Sequence, residues 1–259
     1  MIKFSVITIT YNAEAVLERT LQSVLQQTHE DVEHLIIDGA STDGTVAMAQ
    51  RYKAESDASG RGHKVIVRSE PDDGLYHAMN KGLTQASGDY IIYMNAGDCF
   101  PQADTLEQIA RRCHLNELPS DSLPAVVYGR TDIVDGQGRY LHPRRLQPPK
   151  KLSWRSFRQG MLVCHQAFYA RTDLAKKTPY NTKYKYSADV DWCIRILKAA
   201  EAEKATILNT RLTVCSYLDG GMTTQHHRES LIERFWIMVK HYGLITTLLM
   251  HLWFLVRRK

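Results

Sequence analysis

Carboxylates recur in this sequence where short apolar runs stop. Asp38 follows Leu35-Ile-Ile37 and opens Asp38-Gly-Ala-Ser-Thr-Asp-Gly44; Glu70-Pro-Asp-Asp-Gly74 follows Lys64–Arg68; Asn95-Ala-Gly-Asp98 follows Tyr90-Ile-Ile-Tyr-Met94. A carboxylate in the position of Asp38 can accept hydrogen bonds from a ribose hydroxyl or a base, because strand-end acids of open α/β sheets face the ligand crevice. Asp43, with Ser41 and Thr42, is read as a cap for the next helix. Asp98 is open to two readings: a turn residue, or a ligand for Mg²⁺ or Mn²⁺ whose remaining positions go to phosphates and water. Further on, Ala188-Asp189-Val-Asp191-Trp192 sets two acids near the start of a predicted helix. The helix macrodipole alone favours acids there, yet activation of a hydroxyl needs one general base, and this pair supplies the best candidate outside the first half. Cys164-His165-Gln166 adds a histidine in a predicted strand, with structural and functional readings equally open.

The elements that must carry these residues alternate. Phe4–Thr10, Leu35–Ile37, Lys64–Arg68 and Tyr90–Met94 read as strands, and Ala13–Gln26, Thr42–Tyr52 and Gly74–Ala86 as helices between them. Alternation at this period predicts βαβ units and a mostly parallel sheet, with the polar segments gathered beyond the strand ends. The second half is less regular. Val126–Tyr140 predicts a hairpin turning at Asp135-Gly-Gln-Gly138, His142–Lys151 a connecting loop, and Leu162–Tyr169 a strand. Ser187–Ala200 predicts a helix, Thr206–Leu208 and Leu212–Tyr217 two short strands, and Ser230–Tyr242 an amphipathic helix.

Hydrophobic residues make up 44% and charged residues 24% of the 259, which excludes a disordered or fibrous chain. The net charge of +5 conceals a division: residues 1–143 carry 12 Lys and Arg against 20 Asp and Glu, residues 144–259 carry 21 against 8. That split argues against a uniformly basic nucleic-acid binder and for two jobs on one chain. The five cysteines are scattered without a Cys-x-x-Cys spacing, so no disulfide framework or zinc site is expected, and a reducing compartment is. No basic, apolar leader precedes Phe4, so no cleaved signal peptide is expected.

Several stretches, in order, resemble the family 2 glycosyltransferases, inverting enzymes of GT-A fold, and especially their branch from bacterial exopolysaccharide clusters, colanic-acid type included. They are Ser5-Val-Ile-Thr-Ile-Thr-Tyr-Asn12, Ile37-Asp-Gly-Ala-Ser-Thr-Asp-Gly-Thr45, Ser69-Glu-Pro-Asp-Asp-Gly-Leu-Tyr-His-Ala-Met-Asn-Lys-Gly82, Tyr93-Met-Asn-Ala-Gly-Asp98, His165-Gln166, Ser187-Ala-Asp-Val-Asp-Trp192 and Asp219-Gly-Gly221. The resemblance implies an α/β fold: a Rossmann-type, mostly parallel mixed sheet flanked by helices over residues 1–221, with a C-terminal helical extension over 222–259. Residues 1–100 would form the donor half and 101–221 the acceptor half. It implies that Thr10, Tyr11 and Asn12 line a nucleotide pocket and that Asp38 contacts the base or ribose. Asp72 and Gly74 would open a helix beside the donor, with Asn80 and Lys81 on it. Asp98 would bind the divalent metal, Mn²⁺ or Mg²⁺, that bridges the diphosphate of a UDP- or GDP-sugar. Asp189 would be the base, and His165, Gln166, Asp191 and Trp192 would lie near the sugar or acceptor.

The chain departs from the family pattern at named positions. The common Asp-x-Asp metal motif has Asn95 and Gly97 here, leaving Asp98 as its one charged ligand. His77 stands where the branch usually has Asp, and Ala188 where many relatives have a carboxylate. The Gln-x-x-Arg-Trp motif of processive relatives is missing, which implies transfer of one sugar. Two rivals are a sugar nucleotidyltransferase and a catalytically weak saccharide-binding or scaffold subunit. The first would show a Gly-rich phosphate loop after the first strand, which Thr10-Tyr-Asn-Ala-Glu14 is not. Leu244–Val256 is apolar except for Thr246, Thr247 and His251 and is followed by Arg257-Arg-Lys259. It is shorter than the roughly 20 residues a spanning helix needs. Packing inside the protein and contact with a membrane surface both account for it, the basic end favouring the membrane. Together these features predict a cytoplasmic enzyme, peripheral on the inner face of the membrane, acting on a lipid-linked saccharide.

Overall fold

The structure, a computed structural model, describes residues 1–220 and 226–257. Four strands, β1 (Phe4–Thr10), β2 (Val32–Asp38), β3 (Lys64–Ser69) and β4 (Tyr90–Tyr93), lie parallel in the order β3-β2-β1-β4. Every residue of β1, β2 and β4 is buried, as continuous apolar runs in a sheet covered on both faces must be. The sheet continues through antiparallel β7 (Phe168–Arg171) to β5 (Val126–Val134). β6 (Tyr140–Pro143) pairs with the far end of β5, and β8 (Ile207–Leu218) runs parallel along its length. The result is the α/β architecture expected, a mostly parallel mixed sheet of eight strands.

Between the strands lie α1 (Glu14–Leu25), α2 (Thr45–Ala58), α3 (Leu75–Gln85), α4 (Thr105–Arg112), α5 (Thr172–Lys177) and α6 (Ala188–Ala202). α1 and α2 bury Leu17, Leu21, Ala49 and Tyr52 against Ile36 and Val65 on one face. The larger core packs α3, α4 and α6 on the strands of both halves. The chain ends in two helices, α7 (His227–Tyr242) and α8 (Leu244–Arg257), hinged at Gly243 with φ 82°. Neither they nor any other described helix is long and apolar enough to cross a membrane.

Two expectations need correction. Leu162–Tyr169 is not one strand: His165–Ala167 forms a 3-10 turn and the strand begins at Phe168. Thr206–Leu208 and Leu212–Tyr217 are not separate strands either. They are one, kinked where Arg211 adopts φ 59° and the register against β5 shifts. A residue with positive φ inside a strand is a bulge device that bends the strand without ending it. The Val126–Tyr140 hairpin forms with its turn at Asp135–Gly138, where the Asp135 carboxylate accepts from the Gln137 and Arg139 amides.

One contact sets how deeply α3 sits on the sheet. A Cβ at Gly82 would stand 2.5 Å from Ile7 Cγ2 and 3.3 Å from Ile37 Cγ1. Gly82→Ala is therefore expected to destabilise the fold by about 1–3 kcal/mol, the cost of overpacking a filled core. A urea midpoint equal to wild type would show that α3 shifts freely.

Candidate active site

A cleft of about 1060 Å³ opens beyond the carboxyl ends of the parallel strands. Its walls include Thr10, Tyr11, Asn12, Asp72, Gly74, Asn95 and Asp98 from the first half, and Arg144, His165, Gln166, Asp189 and Arg234 from the second. A smaller hollow of about 410 Å³ lies by Ser87, Asp89 and Arg171, at the opposite strand ends. Arg171 there is already paired with Asp173 and Glu203, so the chemistry gathers in the larger cleft.

At the β1–β3 end, Asp38 ties three strand ends together. Its carboxylate accepts from Thr10 Oγ1 (2.9 Å), Ser69 Oγ (2.7 Å), the Ser41 amide (2.9 Å) and the Ser41 hydroxyl. Burial would push this carboxyl up, but the hydrogen bonds from Ser41, Ser69 and Thr10 outweigh it and hold it low. Asp38 is buried and sits under the cleft wall, orienting Thr10, which lines it. Asn12 adopts φ 47° and receives the Thr42 amide on Oδ1 at 2.9 Å. Asp43 accepts from the amides of Thr45 (3.0 Å) and Glu14 (3.2 Å), as a cap serving two helices. Asp72 receives the Gly74 amide at 2.8 Å at the start of α3, and a Cβ on Gly39 would lie 2.8 Å from its Oδ2, so a side chain there would displace the Asp72 carboxylate.

Asp98, after β4, and Asp189, at the start of α6, line the same cleft, each within reach of His165. Asp98 accepts from Gln166 Nε2 (2.8 Å) and the Leu218 amide (2.9 Å), the latter delivered by β8. Desolvation dominates and pushes its carboxyl up to about 6, despite those hydrogen bonds. Asp189, buried in the first turn of α6, is approached by His165 Nδ1 (3.4 Å) and accepts from the Tyr76 hydroxyl (3.3 Å). Burial would raise this carboxyl too, but the His165 hydrogen bond and the charges of His165 and Arg234 hold it below its ordinary value. His165 also meets Asn95 Nδ2 at 3.2 Å, so a side-chain chain runs from the end of β4 to the start of α6.

Oxygen donors cluster beside Asp98. Asn95 Oδ1 and Gln166 Oε1 are buried and have no hydrogen-bond partner among the described residues. Those residues contain no group of three or more His, Cys, Asp or Glu placed to hold a metal. One carboxylate with two neutral amide oxygens nevertheless fits a hard cation that keeps water and phosphate ligands, as Mg²⁺ does.

Four more of the predicted residues, like Asp38, stand behind the cleft wall. Asn80 exchanges hydrogen bonds with the backbone of Tyr180 at 2.8 and 3.0 Å. Lys81 braces the β3–α3 loop through Pro71 O (2.7 Å) and Glu70 (2.9 Å). Asp191 is fully buried against Arg195, Lys240 and His241, and Trp192 stacks on Tyr180 with centroids 4.9 Å apart. Gly221 of the Asp219-Gly-Gly221 stretch lies outside the described residues. Sequence reasoning missed Tyr76, which sits inside a recognised stretch, and Arg234, which sits in none; Arg144 and Arg145 belong to the basic loop His142–Lys151, whose charge suits a phosphate-bearing lipid acceptor, and both line the cleft.

The sequence pattern described as Glycosyl transferase family 2 matches residues 5–177. The chain belongs to that family. A PGL/p-HBAD biosynthesis glycosyltransferase of Mycobacterium bovis (strain BCG / Pasteur 1173P2) is 34% identical over 193 residues, 74% of this chain and 68% of the relative. An uncharacterized glycosyltransferase of Mycobacterium tuberculosis is 31% identical over 228 residues, 87% and 78% of the two chains. Among solved structures, residues 1–349 of S. aureus TarS with UDP-GlcNAc superpose with TM-score 0.67 at 17% identity, covering 94% of this chain and 69% of that one. The mannosyltransferase PcManGT of Pyrobaculum calidifontis, in complex with GDP-Man and Mn²⁺, superposes with TM-score 0.62 at 18% identity, covering 97% and 70%. At these identities the likeness shows a shared fold, the GT-A type. In this family 2 glycosyltransferase the matched region runs from β1 through α5, and Asp189 and Arg234 fall beyond it.

Asp98 yields a signed pH prediction for the metal-free protein. Its folded carboxyl titrates near 6 against an ordinary 3.8, so the stability it contributes is present below 3.8 and lost as pH rises through 6. Asp98→Asn removes that loss. The variant's stability relative to wild type should rise by up to about 3 kcal/mol between acid and neutral pH, read from urea curves with chelator present. A pH-independent difference would mean the carboxyl is not desolvated.

Proposed function

We propose that this glycosyltransferase moves one sugar from a UDP- or GDP-sugar to a hydroxyl of a saccharide or lipid-linked acceptor, with inversion, in bacterial polysaccharide or glycolipid assembly. The observation that carries the reading is Asp189: a buried carboxylate, kept ionised by His165 and Arg234, lining the same cleft as the strand end Thr10–Asn12. TarS with UDP-GlcNAc and PcManGT with GDP-Man and Mn²⁺ support a nucleotide-sugar donor. The mycobacterial relative named for PGL/p-HBAD biosynthesis supports a lipid-borne acceptor.

In this reading Thr10, Tyr11 and Asn12 cradle the nucleoside, oriented from below by Asp38, while Asp72 and Gly74 set the start of α3 beside the diphosphate. Helix N-termini favour such negative charge. Asp98, Asn95 and Gln166 would hold a divalent cation, whose chemistry is to neutralise charge building on the departing diphosphate. Asp189 accepts the acceptor hydroxyl proton. Its low proton affinity in the resting site keeps it unprotonated, and it takes the proton late, as bond formation acidifies the hydroxyl. Tyr76 and His165 hold both carboxylate oxygens in place.

Asp189→Asn should lower kcat by about 10²–10⁴-fold, the usual worth of a positioned base. The melting-temperature rise produced by the best nucleotide of a panel with Mn²⁺ should persist in the variant. Full activity in the variant would remove Asp189 from the role.

The same reading puts the enzyme on an anionic membrane surface through α7 and α8. Thr247 and His251 of α8 face the protein: Thr247 is fully buried and His251 packs edge-on against Phe235 at 5.2 Å. Its outward face is apolar, with Ile245 77%, Leu249 62%, Leu252 60% and Val256 74% exposed, next to Ile232 and Trp236 of α7. An inverted helix of this kind, with no acidic residue from Leu244 to Lys259 and a basic end, matches an anionic lipid interface. Ile245→Glu with Leu249→Glu should abolish co-sedimentation with vesicles containing anionic lipid and leave the nucleotide-induced melting shift unchanged. Retained vesicle binding, or a wild-type chain that dimerises through this face instead, would overturn the membrane placement.

A further inference from the structure

Most cations near the cleft are committed. Arg195 and Lys240 share Asp191, Lys81 pairs with Glu70, and Arg155 pairs with Glu201. Arg234 and Arg145 differ. Arg234, on α7, lines the cleft beside Asp189, close enough for its charge to act on that carboxyl. Its Nε is buried without a hydrogen-bond partner among the described residues. The acids within reach are taken: Asp189 by His165 and Tyr76, and Glu233 by the backbone amides of Lys185, Tyr186 and Ser187. Arg145 lines the same cleft from the loop after β6 and is exposed, and it enters no ion pair among the described residues. Arg144 beside it donates to Leu146 O at 3.0 Å, which stiffens that loop.

The placement of these groups matters as much as their charge. The nucleotide end of the cleft is built by β1, β2 and β3, at one side of the sheet. Arg145 follows β6, which pairs with the far end of β5, and Arg234 rides on α7, which packs on α6. Arg234 thus stands beside Asp189, and Arg145 lines the same cleft from the loop after β6. A partly buried guanidinium in no direct ion pair, with its Nε unpartnered, is costly unless an anion completes it, and its planar fork suits phosphate oxygens.

We infer that Arg145 and Arg234 form a subsite for a phosphate group carried by the acceptor, which holds the acceptor hydroxyl toward Asp189. The inference rests on the transfer reading above and gives it a substrate class, phosphate-bearing acceptors. A neutral oligosaccharide leaves the two arginines unmatched. A diphosphate lipid and a soluble sugar phosphate share the recognised chemistry.

The test uses the full chain saturated with its best-binding nucleoside diphosphate and Mg²⁺ in excess. Inorganic pyrophosphate is then titrated by calorimetry, with geranylgeranyl diphosphate in detergent and glucose 6-phosphate as further arms. Wild type should bind pyrophosphate at a second site. Arg145→Gln with Arg234→Gln should weaken that binding at least tenfold while changing nucleotide affinity less than twofold. Arg145→Lys with Arg234→Lys should recover part of it, which separates anion recognition from damage to the fold. Tighter binding of the isoprenoid arm assigns the phosphate to a lipid carrier, and tighter binding of the sugar phosphate assigns it to a soluble acceptor. No pyrophosphate binding to the nucleotide-saturated protein overturns the subsite alone. So does an equal loss of nucleotide affinity in the double variant, which would give the arginines to the donor. A wild-type chain that binds no nucleotide overturns the transfer reading and this subsite with it.

Discussion

One carboxylate decides where the second half of the cleft stands. Glu233 of α7 accepts three consecutive backbone amides, Lys185 at 2.7 Å and Tyr186 and Ser187 at 2.9 Å, just ahead of α6. Charge-assisted bonds to backbone N–H groups are among the stronger polar contacts available to a fold. Here they fix the start of α6, and with it the direction in which Asp189 points. Asp191 secures the same pair of helices from the opposite side, through Arg195 on α6 and Lys240 and His241 on α7. The first of the two C-terminal helices, α7, is therefore part of the cleft's framework, and the residue after Glu233 is the arginine that enters the cleft.

The uneven charge along the chain acquires a spatial meaning in the folded molecule. The acidic first half supplies Asp72 and Asp98, and the basic second half supplies Arg144, Arg145 and Arg234. The two sets meet across one cavity. Asp98 and Asp189 respond to it oppositely, the first raised by desolvation with weak compensation and the second lowered by His165 and Arg234. Groups of one residue type whose environments drive their proton affinities apart are a common sign of divided roles.

The strand ends were legible because buried parallel strands read as continuous apolar runs, and the polar segment after each run builds the site. Thr10–Asn12, Asp72–Gly74 and Asp98 reach the cleft for that reason, and Asp189 reaches it from the first turn of α6. Adjacency in a motif was a poorer guide. Asp189 and Asp191 are two positions apart on a helix of 3.6 residues per turn, which sets them on opposite faces. Asp189 accordingly meets the cleft and Asp191 meets α7. Asn80 and Lys81 lie beyond the first turn of α3, where side chains brace neighbouring loops. Arg234 carried no local signal at all, since only the packing of α7 on α6 brings it to Asp189.

All five thiols are unpaired and buried; Cys99, Cys164, Cys193 and Cys215 lie within electrostatic reach of one another, and Cys113 stands apart at the end of α4. Burial raises each of them, Cys113 to about 11, so little thiolate exists at neutral pH. The native molecule is thus chemically silent toward alkylating dyes. A single cysteine introduced on the surface would label alone, without removal of the native five. In the unmodified chain, the delayed reaction of each thiol becomes a clock: Cys164 in the cleft wall times local opening, while Cys193 within α6 waits for the cooperative unit around it to come apart.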